Sequence, residues 1–164
     1  LFAFIPIAIF AGIGFIDLLK TLKSSIVQLL IVILLIVYMA IGLVSYYPYY
    51  IDYYNELMGG ARGNHEKKLL QVGWWGEGAK RSADYLNQSA PENSTIFNAM
   101  MPDHTLDNLR PDLIRVAADE NPDYIVINTM RAWSSDFDPG PEYFVVHEEK
   151  AAGAPIITIY RHKK

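Results

Sequence analysis

IVQLLIVILLIVYMAIGLV, Ile26 to Val44, holds nineteen residues with no charge and a single glutamine. A helix of that length rises about 28 Å at ~1.5 Å per residue, close to the hydrocarbon thickness of a bilayer. Buried helices of soluble cores are usually shorter and amphipathic, so the stretch predicts a transmembrane helix. The flanking compositions agree with that reading. Residues 1–45 carry only Asp17, Lys20 and Lys23, a net charge of +1. Residues 46–164 carry 12 basic and 17 acidic side chains, a net −5. The first part has a membrane composition and the second an ordinary globular one.

Leu1 to Ile16, LFAFIPIAIFAGIGFI, is also apolar but slightly short, and it starts with neither methionine nor a basic n-region. It reads as a cropped transmembrane helix rather than a signal peptide, which makes the chain the tail of a longer membrane protein. DLLKTLKSS joins the two apolar runs, and its two lysines favour the cytoplasmic side. No Lys or Arg follows Val44 until Arg62. The expectation is an integral membrane protein, of the cell membrane or an organelle membrane. Two transmembrane α-helices are followed by a small extracytoplasmic α/β domain with a mixed sheet. The helix pair takes residues 1–45, an interfacial Tyr-rich junction 46–60, and the α/β domain 61–164.

The junction, SYYPYYIDYYNELMGG, packs six tyrosines into nine positions around Pro48. Tyrosine places a ring in the acyl boundary and a hydroxyl among headgroups, so it is enriched where helices leave a bilayer. Pro48 breaks or kinks the helix there. Asp52 and Glu56 are spaced i, i+4, one face of a helical turn, followed by Gly59 and Gly60. Polar groups at headgroup depth also suit a lipid-phosphate substrate, and the spacing alone leaves both readings open.

Beyond the junction, VGWWGEGAKRSADYLNQ (Val72 to Gln88) reads as a glycine-rich turn feeding a helix, with Ala79, Ala83 and Leu86 inward. STIFNAM (94–100) and DYIVINT (123–129) read as strands, the latter covered on both faces. DLIRVAADEN (112–121) reads as a helix opened by Pro111. YFVVHEE (143–149) and APIITIYRH (154–162) form a hairpin across Lys150 to Gly153. This order predicts a crossover unit first and an antiparallel edge last.

The chemistry-bearing residues are sparse. GWWGEG has the spacing G-x-x-G-x-G, the reverse of the dinucleotide fingerprint, and Glu77 puts negative charge where an anion would bind. Glu77 at a helix start favours the macrodipole in any case. Trp74 and Trp75 suit either a sugar-stacking platform or packing and interfacial anchoring, with the second favoured. His65, His104, His147 and His162 are scattered, with no HExxH and no i+3 or i+4 pair. No G-x-S-x-G occurs, and cysteine is absent, which removes disulfides and thiolate metal sites. No cofactor is identifiable, a divalent metal requirement is unknown, and the acidic balance gives no reason to expect nucleic acid. NQS (87–89) and NST (93–95) have the form of glycosylation acceptors.

As a set, YYPYYIDYYNELMGG, VGWWGEGAKRSADYLNQ and PDYIVI…W ahead of IITIYR resemble the C-terminal region of polytopic glycosyltransferases. These are the membrane enzymes related to dolichyl-phosphate-mannose protein mannosyltransferases and to the aminoarabinose transferases of lipid A. The matching positions are Tyr46 to Tyr50, Asn55 to Gly60, Gly73 to Gly78, and Tyr85 to Asn87. Acidic Asp52 and Glu56 depart from the family's more neutral pattern. The resemblance implies a GT-C architecture and transfer of a sugar from a polyprenyl-phosphate (dolichyl-phosphate) donor to a protein or lipid acceptor on the extracytoplasmic face. It places the catalytic acid in an N-terminal loop outside this chain, so no catalytic residue is assigned here. Tyr54, Asn55, Trp74, Trp75 and Glu77 are the candidate substrate-binding residues, and the expected partners are the bilayer, the lipid-linked sugar and the acceptor. The alternative is a membrane-anchored, non-catalytic domain that binds carbohydrate or another envelope component.

Overall fold

The computed structural model describes residues 4–100 and 106–163. The expected strand's last residue Met100 is therefore described, whereas His104 lies outside the described residues. The chain divides into two compact units, Leu1–Val44 and Ser45–Lys164.

The first unit contains α1 (Phe4–Thr21) and most of α2 (Ser25–Tyr46). Gln28, the one polar side chain in the apolar run, donates from Nε2 to the carbonyls of Leu19 (3.1 Å) and Leu22 (2.8 Å). It thereby adds side-chain donors at the carbonyls around the end of α1, where Leu19 O also accepts from Leu22 N (3.0 Å). Among the described residues, α2 alone is long and apolar enough to cross a membrane, and none of its apolar window is buried. α1 carries Asp17 and Lys20, paired at 2.9 Å on its surface.

The second unit is built on a mixed five-stranded sheet of order β2-β1-β3-β5-β4. Its strands are β1 (Thr95–Asn98), β2 (Ile114–Arg115), β3 (Tyr124–Asn128), β4 (Tyr143–Ala151) and β5 (Ala154–His162). β1 runs parallel to β2 and β3, while β5 is antiparallel to β3 and β4. β3 is buried along its whole length, as its unbroken apolar run requires. The hairpin turns at Ala152 (φ 44°) and Gly153 (φ 82°), the two positive φ values that a tight two-residue turn needs.

α4 (Ala79–Ser89) lays Ala79, Ala83 and Leu86 against Ile96, Tyr124, Val126, Ile157 and Ile159. The other helices of this unit are α3 (Gly60–Lys67) and α5 (Thr129–Ser134), neither of which the sequence pattern announced. The segment 112–121 is not the expected helix: it forms β2 and a 3₁₀ turn at Ala118–Glu120. Leu113 is buried while Ile114 and Arg115 are both exposed, so the segment shows no helical stripe of buried positions. The N–H groups of Ile114 and Val116 donate to Ser94 O (3.0 Å) and Ile96 O (3.1 Å), closing the open edge of β1. Pairing buried or half-buried backbone groups outweighs a weak helical propensity.

The packing predicts unequal costs for two apolar truncations. Leu86→Ala, at a fully buried position, should lower unfolding stability by about 3 kcal/mol, and Ile114→Ala on the exposed strand edge by under about 1 kcal/mol. Urea unfolding of the chain in detergent, followed by near-UV circular dichroism, measures both.

Candidate functional site

The tyrosine-rich junction faces two ways. Tyr46, Tyr49 and Asp52 recur at i, i+3 and i+6 and are buried, whereas Tyr47, Tyr50, Ile51 and Tyr53 are exposed. Tyr46 packs with Ala61 and Ala154, and Tyr49 with Val72, Ala151 and Ile156, so the inward rings rest on the β4–β5 turn. The Tyr46 hydroxyl accepts from Ala61 N (2.9 Å) and donates to Tyr54 O (3.1 Å). Tyr49 donates to Glu149 Oε1 (2.7 Å), which also accepts from Arg81 Nη1 at 3.3 Å. Tyr46 and Tyr49 therefore serve as internal struts, while Tyr47, Tyr50 and Tyr53 stay on the surface.

Asp52 and Glu56 do not share a helical turn. They end and begin separate 3₁₀ turns, Tyr50–Asp52 and Glu56–Met58, with extended backbone at Tyr53 and Asn55 between them. Asp52 is 3% exposed while Glu56 is on the surface. The Asp52 carboxyl accepts from Gly73 N at 2.8 Å, and Asn128 Nδ2 donates to Gly73 O at 3.0 Å. Gly73 thus ties the junction to the end of β3. Only glycine fits there: φ is 65°, and a Cβ would lie 2.8 Å from the Ile156 carbonyl oxygen.

Burial pushes the Asp52 carboxyl up to about 6; the Gly73 N–H opposes the shift and the negative charge of Glu77 adds to it. Burial, then the charges of Asp52 and Glu77, also raise the Tyr54 phenol. Tyr49 is raised by burial first and by its bond to Glu149 second.

The five candidate binding residues separate into two groups. Tyr54 and Trp74 line one groove of about 720 Å³, together with Lys68, Leu69, Leu70, Gln71 and Trp133. The Tyr54 hydroxyl donates to Gln71 O, which fixes its ring in the groove wall. Asn55, Trp75 and Glu77 are not among the lining residues. Asn55 Oδ1 accepts from Met58 N (3.2 Å) and caps the second 3₁₀ turn. Glu77 Oε2 accepts from Trp75 N (2.9 Å) and closes the glycine-rich turn; α4 begins two residues later at Ala79, so Glu77 is not its first-turn acid. Trp75 is 69% exposed.

Lys68 and Trp133 were not legible as site residues. Lys68 ends α3 in a left-handed conformation (φ 51°), and Trp133 comes from α5, about sixty residues downstream, where its ring meets His65 at 5.1 Å. No local spacing links either residue to GWW. Burial lowers the pKa of His65 below its ordinary value, which favours the neutral ring beside Trp133. The resulting groove offers aromatic and aliphatic walls with one cation at the rim, a chemistry suited to an uncharged ring carrying an anionic substituent.

Asp52 should leave a signature in the pH dependence of stability. Its folded pKa lies above the unfolded value of 3.8, so the native state holds the proton more tightly. The stability from this group is fully present below pH 3.8 and is lost as pH rises through about 6, by on the order of 3 kcal/mol. Asp52→Asn, which keeps an oxygen for Gly73 N, should remove that slope from unfolding curves recorded between pH 4 and 7. No family model, curated protein or solved structure matches the chain.

Proposed function

We propose that the chain is the C-terminal part of an integral-membrane glycosyltransferase. It would act with a polyprenyl-phosphate-linked sugar as donor and a protein or lipid as acceptor. The observation that carries the reading is the groove of Tyr54, Trp74 and Trp133 with Lys68. Two of its walls come from separate motifs of the glycosyltransferase-like set, YYPYYIDYYNELMGG and VGWWGEG. Aromatic faces take the apolar face of a pyranose, and a lysine beside them takes the phosphate to which the sugar is attached.

On this reading α2 is the last transmembrane helix and α1 a second span. The lysines Lys20 and Lys23 lie at the cytoplasmic end, and residues 45–164 lie on the extracytoplasmic side. The exposed Tyr47, Tyr50 and Tyr53 then sit at headgroup depth. The groove's lining residues include no carboxylate, which fits a domain that holds substrate while another part of the parent protein supplies the base. The same feature favours the second reading, a membrane-anchored carbohydrate-binding domain without transfer activity. Sugar transfer by the parent protein separates the two.

All three tryptophans belong to the second unit, and Trp74 and Trp133 line the groove. Titrating the chain in nanodiscs with a polyprenyl-phosphate hexose should therefore change its tryptophan fluorescence saturably. Lys68→Ala should weaken that response by about tenfold, ~1.4 kcal/mol, with the unfolding midpoint unchanged. Free polyprenol should produce no saturable change, and an equal response to polyprenol would contradict phosphate recognition.

A further inference from the structure

The parallel part of the sheet contains a second feature that the reading above does not use. From β1 the chain moves outward to β2, then crosses back to β3 on the other side of β1. Connections leaving the carboxyl ends of neighbouring parallel strands in opposite directions open a crevice between those ends. In open α/β sheets that crevice is where ligands bind. Here it is a cavity of about 540 Å³, lined by the carboxyl end of β1 (Phe97 to Met100), by Ile127 at the end of β3, and by residues of α5 and the loop after it. Its volume falls within the ordinary range for small-molecule sites.

The side chains at the mouth define a chemistry. Arg131, Asp136 and Asp138 contribute charged groups and Phe137 a ring, while Asn98 Oδ1 accepts from Met100 N (3.1 Å) and the Ser135 hydroxyl donates to Arg131 O (2.7 Å), so those two serve the wall itself. One cation against two carboxylates disfavours a phosphate or another polyanion. Guanidinium and carboxylate groups match the acceptor and donor positions of vicinal hydroxyls, and the ring covers an apolar face. The loop is held in place from within. Phe137 N donates to Ala132 O (3.1 Å), Gly140 N donates to Asp138 Oδ1 (2.9 Å), and the Phe137 ring packs 6.2 Å from Tyr160. This wall is built before any ligand arrives, which lowers the ordering cost of binding.

We propose that the crevice at the carboxyl ends of β1 and β3 is a binding site for a neutral saccharide. The site is distinct from the Tyr54–Trp74 groove. It stands on the sheet topology and the side chains of the loop, and it holds whether or not the parent protein transfers a lipid-linked sugar.

Met100 is 1% exposed and lines the crevice, which makes its methyl group a local reporter. The full chain in nanodiscs, labelled at methionine methyl groups, is titrated with methyl glucopyranoside and with cellobiose and followed by NMR. A saturable shift of the Met100 methyl resonance is expected with at least one of the two. Arg131→Ala and Asp136→Asn should each weaken it by about tenfold, ~1.4 kcal/mol. Asp136 has a φ of 45°, a conformation asparagine tolerates, so the second variant keeps the fold even where the first does not. Trp74→Ala should leave the shift unchanged. The proposal fails if neither saccharide shifts Met100, if inorganic phosphate shifts it in their place, or if Trp74→Ala abolishes the response while Asp136→Asn does not. Failure here leaves the fluorescence titration with the lipid-linked hexose unaffected, so the two readings fall separately.

Discussion

A buried carboxyl holding one backbone N–H organises the second unit. Asp52 accepts from Gly73, and Gly73 in turn accepts from Asn128 at the end of the fully buried strand β3. Three segments far apart in sequence are thereby fixed to one another: the tyrosine junction, the GWWGEG turn and the centre of the sheet. Removing the Asp52 side chain would leave a buried N–H without a partner. Such a loss typically costs about 1–3 kcal/mol, comparable to a large part of a domain's net stability. The price of the arrangement is a desolvated carboxyl, and the raised pKa of Asp52 is its measurable trace.

The same constraint explains why the groove lies where it does. With Gly73 pinned, Trp74 follows at once and is 48% exposed, while Tyr54, two residues past Asp52, is held by its bond to Gln71 O. Buried Asn64 holds the lining residue Leu70 from behind: its amide donates to Leu70 O (2.7 Å) and its oxygen accepts from Leu70 N (2.8 Å). The groove is therefore walled by backbone-anchored segments, a condition for binding without a large ordering cost.

What could be read in the sequence was whatever repeats with a fixed period. α2, the inner face of α4 and the apolar run of β3 each carry a local signature and lie where it put them; the expected hairpin also forms, but β4 runs on to Ala151, so its turn is Ala152–Gly153 rather than Lys150 to Gly153. β2 was misread because two residues cannot display a period; its existence depends on the open edge of β1, a tertiary fact. α3 was missed because GARGNHEK has two glycines and no apolar face, and its buried residues are Ala61 and Asn64. At the groove, Tyr54 and Trp74 were legible through their motifs, whereas Lys68 and Trp133 were not. The spacing of Asp52 and Glu56 left a ligand role open, and the 3% exposure of Asp52 makes it an internal strut, a distinction that depends on burial rather than spacing.

The central claim is that the Tyr54–Trp74 groove receives the sugar-phosphate end of a membrane lipid. Photo-crosslinking with a polyprenyl-phosphate hexose carrying a diazirine on the sugar, followed by peptide mapping of the nanodisc-embedded chain, tests it most directly. The account predicts adducts on Tyr54, on the Lys68–Gln71 segment and on Trp74, displaced by unlabelled lipid-linked hexose. Adducts confined to α1 and α2, or undiminished by the unlabelled competitor, would contradict it.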